Sequence, residues 1–399
     1  MKILKIKVKG LKLFNGTFEI DFFAKQRVSA DKNEMLTKIK SNIYINNVLS
    51  LVGINASGKT TTLKVMLFVL QMLQGKPINT ISHNAIFEGL NENDEVEFDI
   101  YFVANNEKIT RLNTIIKLDS VKSELNNKYY ISNEAIYTKT LSSVRSKRSL
   151  FDFSKVSAEF KRNNDELFLL DDVSILIAFN KKHNITLSVL NAMEWTDLNI
   201  IRVLGSFPLS LVHFLDPSIE HLNCEFIQDT KQVKIFLKFY NHSEYILNNP
   251  LELNHYLSSG TLKGLNVFMA AMIALNSGGY LIIDELENHF NKEIVSTLIR
   301  FFMDSEVNNN GAVLVFTTYY VELLDIFERN DNIYIVNNVK GIKIENLSDI
   351  LYRNDVKKSD LFQSGYLENT TPDYATYIEL KHTITNAKLN KEVIMNVEK

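Results

Sequence analysis

The chain of 399 residues has one cysteine, five prolines and fourteen glycines. A single thiol, Cys224, excludes an internal disulfide and argues against a cysteine-based metal site. So little Pro and Gly leaves no room for long flexible linkers. No apolar run is long enough to span a bilayer, so no membrane partner is expected. A net charge of −3 gives no global electrostatic footprint for nucleic acid, and any such contact would need a local basic patch. The first residues, MKILKIKVKGLKLF, alternate Lys with Ile, Leu and Val, a strand pattern rather than a targeting peptide. Lys5, Lys7 and Lys9 share one face of that strand and read as solvated. Together these features suggest a cytoplasmic protein. With 45% apolar and 23% charged residues, the chain suits one large domain or two ordinary ones.

The informative stretch is LVGINASGKTTTLKVM, residues 51–66. Val48 to Val52 reads as a buried strand, and Thr60 to Leu73 as a helix without Gly or Pro. Between them Gly53-Ile54-Asn55-Ala56-Ser57-Gly58-Lys59-Thr60 fits G-x-x-x-x-G-K-[ST]. Gly53 and Gly58 let backbone N–H groups turn inward onto an anion, and the helix start adds its positive end. Asn55, Ala56, Ser57 and Thr61 complete the candidate ATP-binding loop. Lys59 would reach the β- and γ-phosphates, and the Thr60 hydroxyl would ligate Mg²⁺. A turn that spells this pattern by chance is expected in roughly 1% of chains of this length.

Gly279 to Glu285, GYLIIDE, is an apolar strand ending in two carboxylates. Asp284 is the second candidate Mg²⁺ ligand, and Glu285 the candidate catalytic base that polarises water. The bland alternative is an acidic cap on the next helix. Leu257-Ser258-Ser259-Gly260-Thr261 precedes a helix over 262–275 and by itself is an ordinary N-cap. Further strands are expected over Ile3–Val8, Thr17–Phe23, Asn42–Val52, Glu95–Val103, 225–246 and Ala312–Thr317, with a helix near 291–303. Residues 105–224 read as a mainly helical insertion carrying a basic run, Arg145-Ser146-Lys147-Arg148. That run is either a solvated loop or a docking site in which Arg145, Lys147 and Arg148 meet nucleic acid or an acidic partner. The expected organisation is an ATPase lobe at 1–104, the insertion, residues 225–340 completing the head, and a strand/helix extension at 341–399. No sustained heptads or internal repeats are present.

A P-loop, an LSxG helix start and an acidic strand, in that order, resemble the ABC-type ATPases. Asn55 within the P-loop, IIDELENHFN (282–291) and FTTYYVELLD (316–325) are similar to the SMC, RecF and OLD branch rather than to membrane transporters. The nearest likeness is to the AAA-annotated ATPases of bacterial phage defence: AbiL/RloA-type abortive-infection proteins, AriA of PARIS and PtuA of Septu. The resemblance covers 1–103 and 225–370. It implies an α/β P-loop NTPase fold: an ABC-type head with a mixed central sheet and an antiparallel N-terminal subsheet. It also implies ATP and Mg²⁺ as cofactors, and a homodimer or higher homo-oligomer. Ser258, Ser259 and Gly260 of one subunit would then complete the site of the other.

The chain departs from that family in places. Tyr319 stands where a switch histidine is usual; a tyrosine can hydrogen-bond a phosphate or water but takes no proton at neutral pH. Hydrolysis is therefore expected to be slow or partner-gated, with Glu285 and Tyr319 as the candidate catalytic pair. No glutamine loop stands out near 80–95, where His83, Asn84 and Glu88 are weak candidates. The expected function is an ATP-driven switch controlling a separately encoded effector, such as a nuclease or toxin. The alternative is a RecF- or SMC-like repair or clamp ATPase acting directly on nucleic acid.

Overall fold

The computed structural model describes residues 1–29, 34–40, 42–104, 108–119, 128–144, 146–162, 169–193, 200–202, 205–227, 232–288, 290–364, 367 and 374–386. Its organising element is a six-stranded sheet in the order Val189–Asn191, Tyr280–Ile283, Val313–Thr318, Val48–Val52, Ile333–Asn338, Ile342–Asn346. The first five strands pair in parallel and the last runs antiparallel. All residues of Val48–Val52 are buried, as a continuous apolar run in a parallel sheet covered on both faces should be. Strand alternation divides the interior into two cores. Leu49, Leu51, Tyr280, Ile282, Val313 and Val315 face one. Val48, Val52, Leu281, Ile283, Leu314 and Phe316 face the other.

The first core lies between the central sheet and a second six-stranded, antiparallel sheet. That sheet has the order Phe18–Asp21, Lys2–Lys9, Val96–Ala104, Lys108–Asp119, Lys128–Thr140, Ala158–Lys161. The helix Lys59–Leu73 fills it and is buried at nearly every position from Thr62 onward. A helix apolar all round needs partners on all sides. Here Phe68 meets Phe87 and Phe98 at ring distances of 5.0 and 5.6 Å. The second core is closed by the helices Ser259–Ser277 and Lys292–Met303. A four-stranded sheet of Gly205–Ser206, Ile219–Ile227, Gln232–Phe239 and Tyr245–Leu247 also contributes to it. Among the described residues no helix is long and apolar enough to cross a membrane.

The expected architecture, α/β with a mixed central sheet and an antiparallel N-terminal sheet, is the one found. The expected mainly helical insertion over 105–224 is not. Its described part holds the long strands Lys108–Asp119 and Lys128–Thr140 and only short helices, such as Leu176–His183 and Leu209–Leu215. The boundary at 104/105 divides the paired strands Val96–Ala104 and Lys108–Asp119. The boundary at 224/225 falls within the strand Ile219–Ile227, and that at 340/341 within a hairpin of the central sheet. The strand pattern was masked because polar residues occupy core positions. Thr110 and Thr114 are fully buried, and Thr114 donates to the buried carboxylate of Glu134 at 2.8 Å. Glu134 also accepts from the Ser174 hydroxyl and the Ile175 N–H, each at 2.7 Å. Burial pushes its carboxyl above the usual range despite these donors. Nor is Lys5 merely solvated: its ammonium lies 2.6 Å from Glu19 and 3.0 Å from the buried Asp21.

Candidate functional site

The P-loop leaves the end of the central strand Val48–Val52 and opens the helix Lys59–Leu73. Gly53 is there for space: a Cβ would stand 2.2 Å from the Val336 carbonyl oxygen and 2.6 Å from Ser57 Oγ. Gly58, the helix N-cap, adopts φ 96°, and a Cβ there would meet the Ile342 side chain at 2.6 Å. Ala56 also has a positive φ of 61°. The Lys59 ammonium folds back and donates to the carbonyls of Gly53 (2.8 Å) and Ile54 (3.0 Å). Ser57 Oγ is buried and has no hydrogen-bond partner among the described residues. A buried hydroxyl of this kind fits a loop that awaits an anion. The loop from Asn55 to Thr61 lines a cavity of about 460 Å³, shared with Glu285, Leu13, Asn338 and Ile342.

The acidic strand end lies beside the start of that helix. Thr60 Oγ1 donates to Asp284 Oδ2 at 2.6 Å, and the Thr317 hydroxyl donates to the other Asp284 oxygen. Hydroxyl and carboxylate oxygens are the hard donors that Mg²⁺ takes. Glu285 adopts φ 46°, a left-handed conformation costly for a side-chain-bearing residue. Its N–H donates to Thr317 Oγ1 at 2.7 Å, and Asn288 Nδ2 donates to its Oε2 at 2.5 Å. Glu287 is 3% exposed and accepts the Tyr319 N–H at 2.7 Å. Burial holds the Glu287 carboxyl above its ordinary range. Desolvation lowers the Lys59 pKa, against the pull of Glu285, Glu287 and Asp284. Tyr319 is 41% exposed and its hydroxyl donates to Asn288 Oδ1 at 3.3 Å. Desolvation, then the neighbouring Glu287, raises its phenol pKa further above neutrality.

The structure thus brings Thr60, Asp284, Glu285 and Tyr319 together around the end of the strand Val313–Thr318. Ser258, Ser259 and Gly260 do not line the P-loop cavity. Ser258 caps the helix Ser259–Ser277, its hydroxyl accepting the Thr261 N–H at 3.0 Å. His83, Asn84 and Glu88 are likewise outside the lining, and His83 is buried beside the Asn191 amide at 3.4 Å. The basic run needs correction. Lys147 is not an outward charge: its ammonium donates to the carbonyls of Ala24, Lys25 and Gln26 at 2.5, 2.7 and 3.0 Å. Arg145 and the Arg148 side chain lie outside the described residues.

Three lining residues had no sequence signal, Leu13, Asn338 and Ile342, and Asn288, which contacts Glu285, lies within the 282–291 stretch but had no role assigned to it there. Leu13 and Ile342 meet through a backbone pair, Ile342 N–H to Leu13 O and Asn15 N–H to Ile342 O, both 2.9 Å. More than 300 residues separate the two partners, so no local spacing reports the contact.

Residues 48–325 match the family described as "AAA domain, putative AbiEii toxin, Type IV TA system". Among curated proteins none matches. Among solved structures, the SMC head domain from Thermotoga maritima is similar over 87% of this chain and 99% of that one, at 14% identity and a TM-score of 0.41. The family match runs from the P-loop strand to Asp325 and takes in most of the chain, which therefore belongs to this family of P-loop AAA domains.

Proposed function

We propose that the chain binds and hydrolyses ATP, pairs head-to-tail on ATP, and through that pairing controls a separately encoded effector such as a nuclease or toxin in bacterial abortive-infection defence. The observation that carries the reading is the meeting of Thr60 with Asp284 at 2.6 Å beside a P-loop cavity that Glu285 also lines. The toxin–antitoxin setting in the matched family's description supports an effector partner. The commitment of Lys147 to three backbone carbonyls favours this reading over direct action on nucleic acid.

In this reading the N–H groups from Gly53 to Thr61 cradle the phosphates and Lys59 leaves its carbonyls to meet them. Leu13 and Ile342 offer the apolar surface for the base. Thr60 and Asp284 hold Mg²⁺, which when bound neutralises phosphate charge. Glu285 accepts hydrogen bonding from the attacking water and orients it. Tyr319 takes no proton, and its hydroxyl donates to the Asn288 amide oxygen at 3.3 Å. Ser258, Ser259 and Gly260 complete the site of the opposite subunit, in keeping with their place outside their own P-loop cavity.

Glu285→Gln tests the reading, because it keeps shape and removes charge. ATP affinity by calorimetry should persist, hydrolysis should fall, and light scattering with ATP should show more dimer than wild type. Hydrolysis at the wild-type rate would remove Glu285 from the base role.

A further inference from the structure

The hydrogen-bonded path between the switch tyrosine and the candidate base passes through a third side chain. Tyr319 Oη donates to Asn288 Oδ1 at 3.3 Å, and Asn288 Nδ2 donates to Glu285 Oε2 at 2.5 Å. We propose that Asn288 is a positioning residue that orients the Glu285 carboxylate, and that Tyr319 serves the reaction by anchoring the far end of the Asn288 amide. The proposal rests on the ATPase reading above.

The Glu285 backbone is already fixed. Its left-handed φ of 46° is held by Glu285 N–H to Thr317 Oγ1 at 2.7 Å, Leu286 N–H to Thr317 O at 3.1 Å and Asn288 N–H to Glu285 O at 3.0 Å. A strained residue persists where its surroundings over-determine it, and such residues gather at functional sites. The side chain keeps its own rotamer freedom, and a long flexible carboxylate loses useful orientation unless something holds its head. Among the described residues, the hydrogen bond to that head comes from the Asn288 amide.

The two ends of an amide differ. A carboxylate only accepts, so Glu285 requires the NH₂ end to face it. The carbonyl end then faces Tyr319, and a hydroxyl is the group that can satisfy it. This accounts for a tyrosine at a position where a proton acceptor would be expected. Its hydroxyl donates, and the pairing with Asn288 requires no change of protonation. A residue that only filled space would tolerate an isosteric change. A residue that donates to a carboxylate would not: Asn288→Asp would set two acceptors against each other, worse than no group at all.

Steady-state hydrolysis of Mg·ATP by the full chain, with calorimetric ATP binding for every variant, tests this. Asn288→Ala should lower kcat about tenfold or more, as loss of a hydrogen bond to a charged group does, with KM within twofold. Asn288→Asp should be slower still. Tyr319→Phe should lower kcat about threefold, and Asn288→Ala/Tyr319→Phe should be no slower than Asn288→Ala, because the tyrosine acts through the amide. Wild-type kcat in Asn288→Ala, an Asp variant faster than the Ala variant, a loss expressed in KM alone, or multiplying effects in the double variant would each overturn the proposal. Should the Asn288 variants fail to bind ATP, Tyr319→Phe decides: an unchanged kcat overturns it. The ATPase reading fails separately, if the wild type does not hydrolyse ATP or if Glu285→Gln matches it.

Discussion

Lys59→Ala probes the P-loop on two sides, because the lysine is engaged before any phosphate arrives. Its Nζ donates to Gly53 O at 2.8 Å and Ile54 O at 3.0 Å, and the residue is 6% exposed. Removing one member of a desolvated charge pair costs about 2–5 kcal/mol of binding. The wild type must first release two carbonyl hydrogen bonds and the variant has none to release, which holds the loss to the lower half of that range. A loss of about 2–3.5 kcal/mol is a roughly 30- to 400-fold loss of affinity. The same two bonds also leave the nucleotide-free fold, whose unfolding free energy should fall by about 1–2 kcal/mol. Calorimetric titration with Mg·ATP reads the first number, and denaturant unfolding without nucleotide reads the second. An unchanged affinity would refute the site. A loss well beyond 1,000-fold with unchanged stability would refute the offset assigned to the retracted lysine.

Ser259→Arg should block ATP-driven pairing while each subunit still binds nucleotide through Lys59 and Thr60; mixing it with Lys59→Ala subunits should restore some hydrolysis from one intact composite site. A Ser259→Arg chain that pairs and hydrolyses like wild type would leave LSSGT as the N-cap its local geometry already explains. Lys147→Met should lower stability by about 1–3 kcal/mol, read by denaturant unfolding, and leave nucleic-acid affinity unmoved, since its ammonium is spent on three carbonyls. Cys224 is 1% exposed and burial pushes its thiol up to about 12. At pH 8 only about one thiol in 10⁴ would be thiolate, so alkylation should be negligible in the native chain and rapid in urea; equal rates would contradict the buried placement.

The P-loop and the acidic strand were legible in the sequence because their chemistry is local. Gly53, Gly58, Lys59 and Thr60 must lie within one turn between a strand and a helix, and Asp284 and Glu285 must end a buried strand. The central strands were legible for a related reason: burial on both faces demands an unbroken apolar run, as in Val48–Val52 and Tyr280–Ile283. The long strands Lys108–Asp119 and Lys128–Thr140 were not, because Thr110, Thr114 and Glu134 take buried positions that alternation reserves for apolar side chains. Their burial is possible through partners such as Ser174 and Ile175, which are neighbours only after folding. The basic run looked like free charge until the chain brought the carbonyls of residues 24–26 to Lys147. Leu13 and Ile342 became part of the cavity through a bridge between Phe14 and Ile342, residues far apart in the sequence. Tyr319, Asn288 and Glu285 came from two loops that the parallel pairing of Tyr280–Ile283 with Val313–Thr318 sets side by side. Residue types and short spacings determine what a segment can do; hydrogen bonds and charge contacts fall off within a few ångströms, so tertiary proximity decides which of those capacities meet.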